Sequence, residues 1–223
     1  MSTYLQLSQR LRQEAGLSGT GPTTVTSQTG EMRRIVDWVA SAWLEIQSAH
    51  NQWNWMRADF SFSTVASQQA YTAAEAGVAS RFRAWELDGM GIKTPASNDE
   101  TELMRMAYFD FRRSYIIGPQ SEARPVAVTA LPNRSLALGY TPNAVYTVRG
   151  EYWKAHQTLT VDADIPEMPT DYHEAVLYRA LMMYARYAAA SEVYEDANSK
   201  YLFWMNKLIH EQLPDVTQPE ALA

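Results

Sequence analysis

At 223 residues, 46% hydrophobic and 12% aromatic, the chain carries ample apolar material for a packed core, which excludes disorder as its main state. With no cysteine it has no disulfides, thiolate nucleophile or cysteine-bound zinc, which fits a reducing cytoplasm. A formal charge of -6 argues against coating DNA or an anionic membrane through bulk charge, but leaves room for a duct through which DNA slides. Residues 1–17 are amphipathic without a continuous apolar run, so neither a signal peptide nor a membrane span is expected.

In chain order, residues 3–15 read as a short helix with Leu5, Leu7 and Leu11 on its apolar side, closed by Gly16. A linker rich in Gly, Ser, Thr and Pro follows at 18–30. Residues 31–57 read as a long helix in which Ile35, Val39, Ala42, Ile46, Ala49 and Trp53 recur at spacings of four and three. Trp38, Trp43 and Trp55 stand on its other faces, which suits burial between neighbours. Phe60 and Phe62 open a strand by alternation, and residues 81–87 read as another. Residues 99–117 look helical through Met104, Tyr108, Phe111 and Tyr115, stopping before Gly118 and Pro119. Strands are expected at 126–131, 136–140 and 144–153, separated by turns around Pro132 and Pro142, with a last short one at 159–161.

Pro166 and Pro169 hold off regular structure until Asp171, which with Glu174 reads as a helix N-cap and its reciprocal carboxylate. Beyond it run two apolar stripes: Val176, Ala180, Met183, Tyr187, Ala190 and Tyr194, and beside them Leu177, Leu181, Tyr184 and Ala188. A helix that buries two faces is central in its own domain or wedged between subunits. In the last helix Tyr201, Trp204 and Leu208 share one face, and Leu202, Met205 and Ile209 another. The expected class is α+β: mainly an α-helical bundle from both chain ends (1–57 and 166–213), with a small antiparallel β unit and one helix inserted at 58–165. Residues 214–223 read as a flexible tail.

Catalytic patterns fail one by one. His173-Glu174 begins like a zinc-protease helix, but the second histidine's place is taken by Leu177. Asp162 and Asp164 offer two carboxylates on a loop, too few for a calcium site and better read as turn residues. The glycine pairs 19/21 and 89/91 lack the third glycine and lysine of phosphate-binding loops, and His50, His156 and His210 are scattered. Arg112-Arg113 with Phe109, Phe111 and Tyr115 could clamp a nucleic acid, yet helical spacing explains the aromatics as core and leaves the arginines as surface or intersubunit partners. No catalytic, cofactor-binding or metal-binding residue is assigned. A hydrolase site assembled only in space and a nucleic-acid-binding module stand as alternatives.

One lead-in, P-x-x-P-x-x-Y-H-E (Pro166 to Glu174), precedes an Ala- and Tyr-rich helix and then Tyr194, Ala197, Tyr201 and Leu208. With LMRMAYFDFRRSY (103–115), RPVAV (124–128) and LGYTPNAVYTVRGEYW (138–153) upstream in the same order, this resembles the head-to-tail adaptor proteins of tailed bacteriophages over about two thirds of the chain. The N-terminal segment with its Thr-rich linker gives little to match. The resemblance implies a structural virion protein and not an enzyme, made in the host cytoplasm and placed in the head-tail neck. It implies a ring, usually twelvefold, beneath the portal protein, which extends the channel for double-stranded DNA without binding it tightly and offers a docking surface to the tail or next neck protein. No cofactor and no membrane enter. On that expectation the subunit interface is assigned to Trp38, Trp43, Val176, Ala180, Met183, Tyr187, Ala190 and Tyr194. Portal docking is assigned to Tyr201, Trp204, Leu208, Ile209, Leu213 and Val216. Candidates for an acidic channel wall are Glu31, Asp37, Glu45, Glu192, Glu195 and Asp196.

Overall fold

The structure, a computed structural model, describes residues 2–213 apart from Thr20, Ala79 and Ala96. Helices α1 (Tyr4–Glu14) and α2 (Gly30–Ala49) come first, then a 3-10 turn at Asn54–Met56. Strands β1 (Arg57–Ser63), β2 (Ala70–Tyr71), β3 (Phe82–Lys93), β4 (Thr101–Glu102) and β5 (Met104–Arg105) precede helix α3 (Tyr108–Tyr115). Strands β6 (Glu122–Ala123), β7 (Ala127–Ala130), β8 (Leu136–Gly139), β9 (Thr141–Pro142) and β10 (Thr147–Lys154) follow. A 3-10 turn at Thr170–Tyr172 leads into α4 (His173–Tyr187) and α5 (Ser191–Gln212).

The chain divides into a helical unit, Met1–Trp55 with His156–Ala223, and a β unit, Met56–Ala155. Residues 156–165, expected with the strands, belong to the helical unit, and no strand forms at 159–161. Polar side chains bind them there. The fully buried Gln47 donates to the Gln157 carbonyl at 3.0 Å and accepts from the Gln157 amide at 2.7 Å, while Trp43 donates to the Gln157 side chain at 3.1 Å. The amides of Tyr4 and Leu5 donate to the carbonyls of Asp164 and Asp162 at 2.7 and 3.3 Å, tying α1 to the same segment.

In the helical unit α1 starts on a capping box: Thr3 accepts from the Gln6 amide, and the Gln6 side chain accepts from the Thr3 amide. Leu7 and Leu11 are fully buried. Central in the unit is α4, packed against α1, α2 and α5. That position accounts for its two apolar faces, and Val176, Leu177, Ala180, Leu181 and Ala185 all lie in the core. The expected cap on Asp171 does not form; Glu174 instead takes a forked contact from Arg10 at 2.5 and 3.0 Å. The stripe does not run on past Tyr187, because the chain turns at Ala188–Ala190, with Ala189 at a φ of 52°, and reverses into α5.

Helix α2 is shorter than its spacing predicts and ends at Ala49. Trp53 reaches the core by folding back, its indole N–H donating to the Ile46 carbonyl at 3.2 Å and its ring stacked on Trp55 at 4.5 Å.

In the β unit one sheet has the order β1-β10-β3-β4, antiparallel throughout, and a second has β2-β8-β7-β5. The arrangement is mixed where antiparallel pairing was expected: β5 runs parallel to β7, and β6 runs parallel to β9. The core holds Phe60, Phe62, Trp85, Met90, Ile92, Leu103, Val128, Leu136, Leu138 and Val148. The helix expected over 99–117 forms only as α3, because residues 101–105 pair as strands with Leu103 inward and Met104 outward. Arg124 fixes that segment by donating to the Asp99 and Ile92 carbonyls at 2.6 and 3.0 Å and pairing with the Asp99 carboxylate at 2.5 Å. Hydrogen bonds from Thr94, joined by Arg124, hold the Asp99 carboxyl well below the usual carboxylate range. The class is α+β: 39% of the described residues are helical and 22% lie in strands, so the strands are substantial and a mainly helical bundle is not borne out.

Candidate assembly surfaces

The residues weighed for chemistry have structural work. Asp162 accepts from the Thr24 hydroxyl at 3.0 Å and the Val25 amide at 2.5 Å, pinning the linker after α1. Asp164 accepts from the Thr160 and Val161 amides at 2.5 and 2.8 Å. Among the described residues no group of three or more His, Cys, Asp or Glu gathers to hold a metal, and no helix is long and apolar enough to cross a membrane.

His173 is 2% exposed at the head of α4, and its Nδ1 accepts from the Ser2 amide at 3.2 Å while Nε2 faces the Met168 carbonyl at 3.3 Å. Those partners select the neutral ring with its proton on Nε2. Burial pushes its pKa below the ordinary 6.5. Between 6.5 and the lower folded value the unfolded chain binds a proton that the folded chain does not, so this stability is complete above pH 6.5 and is lost as pH falls through that window. The expected result is that the melting temperature falls less between pH 7 and about 5 in His173→Gln than in the parent chain. Parallel melting curves for the two proteins would contradict it.

The assigned interface residues separate by burial. Trp43, Val176 and Ala180 are 1%, 0% and 0% exposed, and Leu208 is 0% exposed, so these four belong to the unit's own core and offer nothing to a neighbour. Trp38, Met183, Ala190 and Tyr194 are half-buried and Tyr187 is exposed. Trp38 packs edge-on against Tyr184 at 5.9 Å and near Tyr187 at 5.6 Å, and Arg34 lies 4.5 Å over the Tyr187 ring. Of the portal set, Tyr201, Trp204, Ile209 and Leu213 are half-buried, while Val216 and the rest of the expected tail lie outside the described residues. Burial raises the Tyr201 hydroxyl pKa, against the pull of nearby Arg179.

Helix α5 buries only Ala197, Met205 and Leu208 and leaves Leu202 and Phe203 about half exposed. Its N-terminal half is acidic, with Glu192, Glu195 and Asp196 exposed. At the α4–α5 corner, Ala185, Ala189, Ala190, Ser191, Tyr194, Arg186 and Glu195 line an open hollow of about 400 Å³.

Helix α3 forms another uncovered face. Phe111 is fully buried and the helix rests on β7, but Phe109 is 79% exposed, with Ile117 outside as well. Helical spacing had assigned all these aromatics to the core, and Phe109 is the exception. Arg112 and Arg113 are exposed beside it; Arg113 pairs with Asp110 at 3.2 Å.

Apolar and charged helix faces carried on well-packed cores are the equipment of a protein that works by docking to other proteins. The profile of the SU10 adaptor protein family matches residues 2–212. The chain belongs to that family and is a structural adaptor protein of a bacteriophage. No curated protein matches the chain.

Proposed function

We propose that the protein is a neck component of the virion that assembles as a twelvefold ring, docks beneath the portal protein, extends the DNA channel and gives the tail or next neck protein its attachment surface. The observation that carries this is the family match over residues 2–212. The uncovered faces of α5 and of the α4–α5 corner support it, since a ring of like subunits needs apolar surface that one chain leaves open. Trp38, Met183, Tyr187, Ala190 and Tyr194 are the accessible residues for subunit packing, and Tyr201, Trp204, Ile209 and Leu213 with the segment beyond them serve the portal. The work is mechanical and uses no bond chemistry. A wall that carries Glu31 and Asp37 lets duplex DNA slide, because a cationic wall would hold phosphates at each step.

Mixing the purified chain with the portal protein of its own phage is expected to give co-sedimentation and, by mass photometry, a complex with one adaptor subunit per portal subunit. A chain that neither binds portal nor appears in purified virions would overturn the reading. A density map with the lumen lined mainly by arginine would remove the sliding channel alone.

A further inference from the structure

We infer that Phe109 of one copy seats in the α4–α5 corner hollow of the next copy, with Arg112 and Arg113 facing Glu192 and Glu195. The inference rests on the ring proposed above and names two of its mating faces.

Each face lacks a partner in the single chain, and each supplies what the other lacks. Phe109 is the most exposed of the large apolar side chains on the described surface, at 79%, and it stands on a helix anchored from below by the buried Phe111 and the half-buried Tyr115. A large aromatic held out rigidly costs free energy in water and is regained only in a pocket, which is the anatomy of an interface anchor. The corner hollow, about 400 Å³ and walled by Ala185, Ala189, Ala190 and Tyr194, has room for such a ring, and small alanines let a helix approach closely.

Charge gives the direction. Arg112 has no ion-pair partner among the described residues, and the one partner of Arg113 is Asp110 on its own helix. Glu195, which lines the hollow, and Glu192, on the first turn of α5, have no ion-pair partner among the described residues either. Arg186 is the cation that lines the hollow, and it is drawn across Tyr194, 5.4 Å over the ring and within 3.3 Å of the hydroxyl. The start of α5 thus presents carboxylates to a face that presents guanidinium groups. One patch lies in the β unit and the other in the helical unit, so they are different surfaces, and a head-to-tail pairing of the two, repeated around an axis, is the contact that the ring proposed above needs.

The absence of cysteine permits a clean test. Phe109→Cys and Ser191→Cys are placed in one chain and treated with a short bis-maleimide, free and bound to portal. A ladder of covalent multimers is expected, with neither single variant progressing beyond a dimer. Arg112→Glu with Arg113→Glu is expected to weaken self-association at least tenfold, and Glu192→Lys with Glu195→Lys in the same chain to restore it. Circular dichroism confirms that every variant is folded. Assemblies that form without a ladder, a chain that stays monomeric under all conditions, or charge reversals without effect overturn the pairing. Failure of the adaptor reading shows separately, as loss of portal binding by the unmodified chain.

Discussion

Replacing Ala180 with glutamate is expected to unfold the helical unit, not merely to disperse its assemblies. Ala180 is 0% exposed on α4, the helix that touches α1, α2 and α5. Burying an unpaired carboxylate there costs several kcal/mol, with about 1–3 kcal/mol more for overpacking. A unit of ordinary stability has about 5–15 kcal/mol in all. The contrasting variant is Ala190→Glu, at the half-buried corner, which is expected to keep its helicity and to lose self-association. Circular dichroism and mass photometry on both proteins separate the effects. An Ala180→Glu chain that stays fully helical and only fails to assemble would place α4's inner face between subunits and contradict the packing described above.

Trp53→Ala is expected to destabilise the same unit by about 3–5 kcal/mol, the range for truncating a buried large aromatic. Its ring is fully buried, stacked on Trp55 and edge-on to His50 at 4.9 Å, and its N–H satisfies the Ile46 carbonyl at the end of α2. Trp53→Phe keeps much of the packing and loses that bond, so about 1 kcal/mol of loss beyond the change in volume is expected. Urea midpoints of the three proteins measure both. A Trp53→Ala midpoint equal to the parent's would mean that the folded-back tryptophan contributes nothing.

What could be read from the sequence follows the range of the forces involved. The start of α1 was legible because Thr3 and Gln6 cap within one turn. The alternation of Phe60 with Phe62 marked β1, whose inward side is set by period two alone. Where a long-range contact decided the outcome, local pattern misled. Trp53 continues the spacing of α2, yet a bond to Ile46 places it in the core without a helix. Met104 falls into helical register with Tyr108, but Arg124 and the neighbouring strand β7 hold its segment extended. The reversal between α4 and α5 passes through three alanines, the residue least suited to announce a break. The two stripes of α4 were visible, but burial inside one unit and burial between copies leave the same mark on a sequence. Phe109 was hidden by the spacing that placed Phe111 correctly, since a stripe gives the period and not which members face outward.

In both units the piece made late is the piece that sits in the middle. Strand β10 closes the first sheet between β1 and β3, which do not neighbour each other without it, and α4 arrives after the whole β unit to pack on α1 and α2, made before it. At ordinary translation rates of about 5–20 residues per second, the 100 residues of Met56–Ala155 keep α1 and α2 waiting for at least about 5 s. During that interval α1 and α2, which hold Leu7, Leu11, Ile35, Val39 and Trp43 among their buried residues, lack the α4 that packs on both. The nascent chain therefore spends that interval with an unclosed pair of apolar helices, and a ribosome stalled before α4 would release a species prone to aggregate.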